Sequence, residues 1–284
     1  MTAPEGRRAD LRGVAGGPAD LQTERPHPAR VYDYLLGGKD NFAADRAAAE
    51  AGLRANPNSR VPPRENRAFL GRAVGYLAEH AGISQFLDIG TGIPTSPNVH
   101  EIVQRANPAA RVVYVDNDPI VLAHARALLR GGPAGRIAYI DADIRDVDGI
   151  LGAPDLLGTL DLDRPVGLLL LAVLHFVGDA DDPCGIVRRL LDALPSGSYL
   201  ALSHLTGDFD AAAWEGVAAV FRRSGVTMQV RSLEQVTRFF DGLELVEPGV
   251  VSLPAWRPDP GAHGDEGPPS DAAVSVYGGV ARKP

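Results

Sequence analysis

The chain has a single cysteine, Cys184, which excludes a disulfide framework within one copy and any cysteine cluster for a metal. Basic residues are in deficit as well, with 28 Lys and Arg against 36 Asp and Glu for a formal net charge of -8. Binding to a phosphate backbone needs surplus positive charge on one face, so nucleic acid is not the favoured partner. No apolar run approaches the roughly 18 residues of a membrane helix, and no apolar signal core follows Met1. These absences lead us to expect a soluble, cytoplasmic protein with no membrane partner. What is present is 284 residues with 45% hydrophobic content, enough for one large α/β domain with an appended element.

Residues 1–25 mix Gly, Pro, Ala and charge without apolar period, and are expected to be a disordered tail. Residues 26–81 read as a helical N-terminal cap with helices at Ala29–Leu36, Asp40–Arg54 and Glu65–Ala81. Gly37-Gly38 and Val61-Pro62-Pro63 read as breaks between them. From residue 82 to 284 the pattern becomes strand, loop, helix. Strands are expected at Gln85–Ile89, Arg111–Val115, Ile137–Ile140, Val166–Leu171 and Tyr199–Ser203. The intervening helices fall near Asn98–Arg105, Pro119–Leu129 and Pro183–Leu194. Such alternation builds a mostly parallel, Rossmann-like sheet with helices on both faces, because parallel neighbours need long crossovers. Helices follow at Ala211–Arg223 and Leu233–Phe240. Two closing strands, Leu243–Val251 and Val274–Val280, lack a crossover helix and are expected to be antiparallel, joined by an exposed loop at Pro254–Ser270.

Three strands end in carboxylates. The first runs Phe86-Leu87-Asp88-Ile89-Gly90-Thr91-Gly92, where glycines let the chain turn tightly and bring a ligand close to the backbone. A dinucleotide fingerprint would place a third glycine where Thr95 stands, and Pro94 lacks an amide donor. A pyrophosphate is therefore poorly served, and a phosphate-free ligand fits better. The second strand ends at Asp116, whose carboxylate suits the two hydroxyls of a ribose. The following Asn117-Asp118-Pro119 reads as a helix-capping turn. The third ends near Tyr139-Ile140-Asp141-Ala142-Asp143-Ile144, where Asp143 has two readings: an acceptor for an adenine amino group with Ile144 against the ring, or solvated charge.

With these motifs the chain resembles class I S-adenosylmethionine-dependent methyltransferases, and more closely an actinobacterial family long described as a domain of unknown function. The resemblance is carried by Arg30-Val31-Tyr32-Asp33-Tyr34-Leu35-Leu36-Gly37-Gly38-Lys39-Asp40-Asn41-Phe42, by Asp88–Thr95 and by Leu171-Ala172-Val173-Leu174-His175-Phe176-Val177, and spans about Pro26 to Pro284. It implies a class I sheet with an antiparallel final strand and S-adenosylmethionine as cofactor. By that likeness Asp88, Gly90 and Gly92 face the methionine portion, Asp116 the ribose, and Asp143 with Ile144 the adenine, with Thr91 and Asn117 as further cofactor-binding residues. The carbonyl of Ala172 approaches the ammonium. Ser96-Pro97 departs from the expected polar-glycine pair and leaves the start of the next helix open.

The expected reaction is methyl transfer to a small-molecule acceptor. The alternatives are a non-catalytic regulatory protein that binds S-adenosylmethionine, and a nicotinamide-dependent oxidoreductase. Tyr32, Tyr34, Lys39 and Asn41 are candidates for a lid over the acceptor, with half-buried aromatic packing as the other reading of the tyrosines. Arg64 or Arg67 either pairs with the ligand carboxylate or is solvated helix charge. His175 is either a general base or a structural histidine. His204 with Asp208 and Asp210 is too sparse a set for a metal, and none is assigned. Cys184 reads as a packing residue. Trp214, Phe221 and Met228 are core by default, with a pocket wall as the alternative. The 208–231 segment is the expected site of acceptor selection, together with the lid.

Overall fold

A computed structural model describes residues 21–128, 134–264 and 267–284. Three helices come first: α1 (Pro28–Leu36), α2 (Ala43–Ala55) and α3 (Val61–Glu79). Next are β1 (Gln85–Ile89), α4 (Val99–Ala106), β2 (Arg111–Asp116), α5 (Pro119–Leu128) and β3 (Arg136–Asp141). The chain continues through α6 (Val147–Leu151), α7 (Pro154–Thr159), β4 (Gly167–Leu171), α8 (Pro183–Asp192) and β5 (Tyr199–Leu205). It closes with α9 (Ala211–Arg223), α10 (Leu233–Thr237), β6 (Glu244–Leu245), β7 (Val251–Ser252), α11 (Asp271–Val274) and β8 (Val276–Arg282). Among the described residues no helix is long and apolar enough to cross a membrane.

All eight strands join one sheet in the order β3-β2-β1-β4-β5-β8-β6, with β7 also on β8. The pairs among β1 to β5 are parallel, while β8 runs antiparallel to β5 from Tyr199↔Arg282 to Leu205↔Val276. Side chains alternate between the two faces, as a pleated strand requires. Phe86, Val112, Tyr114, Leu169 and Ala201 pack with α3 and α4 on one side, whereas Leu87, Val113, Val115, Leu168 and Leu200 pack with α6, α7 and α8 on the other. The sheet is thus the middle layer of three.

Local chemistry explains where expectation and structure part. Pro62 and Pro63 do not break the chain; they lie in the first turn of α3, where the missing amide hydrogens have no intrahelical use. Residues 1–20 of the expected tail lie outside the described residues, and so does Leu129. Residues 21–25 are held in place, because buried Arg30 donates from its guanidinium to the carbonyls of Leu21, Gln22 and Arg25. The expected strand Leu243–Val251 is two fragments, β6 and β7, interrupted at Pro248 and at Gly249, whose φ of 89° leaves extended geometry. Helices α6, α7 and α11 were not anticipated, being only four to six residues long.

The stretch after Leu253 is only partly the exposed loop expected there. Trp256 is fully buried, meeting Phe69 edge-on with ring centroids 5.3 Å apart. Arg72 reaches from α3 to donate to the carbonyls of Trp256 and Leu253 at 2.9 and 2.7 Å. The segment is therefore a wedge under the sheet. Trp256→Ala should cost about 3–5 kcal/mol in a urea unfolding curve, whereas an exposed tryptophan would leave the midpoint almost unmoved.

Candidate active site

The strand order reverses at β1, which has β2 on one side and β4 on the other, so their carboxyl ends diverge and leave a crevice. A cleft of about 360 Å³ opens there, within the range of small-molecule sites. Its walls come from the glycine turn after β1, the ends of β2 and β4, the loop after β3, the N-terminal helices and residues 225–227.

The glycine turn is built by backbone geometry. Gly90 has φ 75°, and a Cβ there would stand 2.4 Å from a methyl of Val173, so no other residue fits. Gly92 has φ 69°, and a Cβ would meet nothing within 4 Å, leaving its backbone open on the cleft. Thr95, at the position a third glycine would hold in a dinucleotide loop, donates its amide hydrogen to Asn98 Oδ1. Asn98 and Glu101 then close a capping box on α4, which fixes the helix start that Ser96-Pro97 left open.

Two carboxylates sit beneath this turn. Asp88 is buried and accepts from Thr91 Oγ1 at 3.1 Å. Burial pushes its carboxyl up to about 7, with the Asp116 charge adding to the rise while Thr91 and Arg67 oppose it. Asp116 accepts the Gly92 amide hydrogen at 2.8 Å and that of Asp118 at 2.9 Å. Burial raises its carboxyl also, against those two hydrogen bonds. Asp143, on the third strand's loop, is half-exposed and held by Arg145 at 3.0 Å and by the Asn117 amide at 3.0 Å. Asp88, Gly90, Thr91, Gly92, Asp116, Asn117, Asp143, Ile144 and Ala172 all line the one cleft. Ala172 adopts φ 54°, a left-handed conformation costly for a residue with a Cβ, at the exit of β4.

Of the four expected lid residues, the structure brings only Tyr32 to the cleft. Its hydroxyl donates to Pro63 O and accepts from Asn66 Nδ2, both at 3.0 Å. Tyr34 bonds Glu50 and lies under the Arg60 guanidinium, away from the cleft, and Lys39 is exposed. Asn41 is buried as a loop staple, donating to Asp33 Oδ2 and Gly38 O. Arg67 lines the cleft and donates to the carbonyls of Thr95 and Pro97, whereas Arg64 is exposed on α3. Asp118 does more than cap α5. It receives Ile120 N–H and also meets His27 at 3.1 Å and Arg30 at 3.2 Å, latching α1 to the sheet beside Asp116.

His175 is not among the residues lining the cleft; it is 3% exposed and lines a smaller cavity behind it. Burial, with His204 and Arg231 nearby, pushes its imidazole well below the ordinary range and keeps it neutral. His204 bonds Leu205 O through Nδ1 and receives Arg231 at Nε2, while Asp208 and Asp210 bond the amides of Leu233 and Ala213. Among the described residues no group of three or more ligand-type side chains could hold a metal. Cys184 packs against the core. His27, Asn66, Phe176 and Thr227 line the cleft without having been singled out; only His27, directly before a helix-opening proline, left a readable signal.

Residues 15–284 match the family model described as S-adenosyl methyltransferase, and the chain belongs to that family. It is accordingly an S-adenosylmethionine-dependent methyltransferase. It is similar over 93% of its length to a DUF574 family protein from Streptomyces avermitilis, covering 100% of that chain at 52% identity with a TM-score of 0.89. It is also similar to a Thermobifida fusca protein provisionally called a methyltransferase, at 42% identity and TM-score 0.84, over 95% of this chain and 99% of that one. No curated protein matches it.

Asp88 yields a signed pH prediction. Its folded value near 7 lies above the ordinary 3.8, so the ligand-free fold binds that proton more tightly than the unfolded chain and loses stability as pH rises between the two. Asp88→Asn should therefore raise the melting temperature of ligand-free protein at pH 8, with the gain vanishing toward pH 4. Scanning calorimetry at both pH values checks this, and an equal or lower melting temperature at pH 8 would refute it.

Proposed function

We propose that this methyltransferase acts on a small-molecule acceptor, holding its cofactor with the carboxylates of three successive strand ends. The reading is carried by one observation: Asp88, Asp116 and Asp143 line a single cleft around a glycine turn whose third-glycine position is closed. That donor set suits a ligand bearing a cationic sulfonium and ammonium, two ribose hydroxyls and an adenine amino group, and it ill suits a pyrophosphate. The acidic balance of the chain also favours a small acceptor over a nucleic acid.

Asp116 is assigned the ribose, since each of its oxygens takes one amide hydrogen and keeps further acceptor capacity. Asp88, with Gly90, Thr91 and Gly92, is assigned the methionine end. A positive charge beside it offsets its burial and favours the ionised carboxylate. Arg67, already tethered by two carbonyls, retains other donors for the ligand carboxylate. The Ala172 carbonyl is assigned to the ammonium, Ile144 to the adenine face, and Asp143 to its amino group in competition with Arg145.

S-adenosylmethionine, when bound, supplies an activated methyl group, so the chain's task is alignment and exclusion of water. Tyr32 and Asn66 join α1 to α3, and Asn66 Oδ1 accepts from the Ser203 hydroxyl, whose oxygen in turn accepts the Ala172 amide hydrogen at 2.9 Å. This relay fixes the cap over the end of β4. Asp116→Asn should weaken S-adenosylmethionine binding at least tenfold by calorimetry while leaving NAD without measurable binding. Undiminished affinity in that variant, or tight NAD binding by the parent, would defeat the proposal.

A further inference from the structure

His27 caps the first helix of the N-terminal segment, and its side chain lines the cleft together with Asp116 and Asn117. Nδ1 is the crowded side of its ring, 3.1 Å from Asp118 Oδ2 and 3.3 Å from the amide of Ala29. The backbone is pinned as well, since the His27 amide donates to Asp45 Oδ1 at 2.9 Å. Among the described residues no protein group bonds Nε2, so the ring keeps one polar atom uncommitted. The imidazole is also near enough to Asp116 to favour its ionised carboxylate, against the burial that raises it.

We propose that His27 belongs to the cofactor site, donating from Nε2 to a ribose hydroxyl whose own hydrogen goes to Asp116; the inference rests on the methyl-transfer reading above. A carboxylate only accepts, so a hydroxyl held by Asp116 spends its single hydrogen there and leaves its oxygen in need of a donor. The Gly92 and Asp118 amides are already given to Asp116, and the Asn117 side chain is turned to Asp143, which leaves His27 as the donor on the side of the cap. Two ring states serve that role. When Nδ1 accepts from Ala29 the ring hydrogen sits on Nε2, and in the imidazolium form Nδ1 donates to Asp118 while Nε2 still donates.

The strand tips alone are then an incomplete cofactor site. The ribose is held by the end of β2 and by the residue that opens α1, and Pro28, Ala29 and Tyr32 of that helix line the same cleft. Both His27 and Arg30 reach Asp118, so the latch that fastens α1 to the sheet also sets the position of the imidazole.

The test is calorimetric titration of full-length protein with S-adenosylhomocysteine and with its 2′-deoxy and 3′-deoxy analogues. His27→Asn keeps an amide group where Nδ1 stands and removes Nε2, so the latch and the helix cap survive. This variant should bind S-adenosylhomocysteine about tenfold more weakly than the parent, and the loss should vanish against whichever analogue lacks the bonded hydroxyl. His27→Gln, whose amide nitrogen reaches the place of Nε2, should recover most of the affinity. A substitution that only loosened the cap would weaken all three ligands alike. Undiminished binding of S-adenosylhomocysteine by His27→Asn overturns the inference, as does an equal loss against all three ligands, or a parent that binds both analogues as tightly as S-adenosylhomocysteine. A parent that binds no S-adenosylhomocysteine defeats the methyl-transfer reading itself, and the inference falls with it.

Discussion

The Asp116 carboxylate accepts one amide hydrogen from the glycine turn and another from the start of the next crossover, and so ties the exits of β1 and β2 together. Two residues on, Asp118 meets His27 and Arg30 of the cap. Cleft and cap are therefore anchored within one turn of chain. Burial makes Asp88 and Asp116 costly to ionise, whereas burial at Asp118 is outweighed by His27 and Arg30, which hold it below the usual carboxylate range. The same burial that shapes the cleft therefore makes its two inner carboxylates a cost to the fold once they ionise.

Much of this arrangement was legible. Strand cores such as Val112–Val115 and Leu168–Leu171 are continuous apolar runs because both faces are covered, and their tips carry the acids that matter. The glycine turn announced itself because Gly90 admits no side chain beside Val173. The antiparallel closing strand followed from the lack of a crossover helix before it.

Other features depend on contacts between residues far apart in sequence and leave no local trace. Trp256 lies in a Pro-rich stretch that reads as a loop, and contacts from Phe69, Arg72 and Tyr76 of the distant α3 turn it into core. Asn41 and Tyr34 look like chemistry in a dense polar motif, yet they serve its internal geometry. Gly38 is needed there because a Cβ would lie 1.9 Å from Asp33 Oδ1. His175 follows a strand tip, as a base might, but a short turn after β4 carries it behind the wall of the cleft.

Arg231 joins the 208–231 segment to the rest of the molecule in an instructive way. It is buried, and its guanidinium donates to the carbonyls of Leu174 and Val177 as well as to Asp179. It also reaches His204 Nε2, so two of its four partners are main chain, present whatever side chains stand at 174 and 177. At those two points the tether tolerates sequence drift on the wall it grips, while at Asp179 and His204 it depends on the side chain.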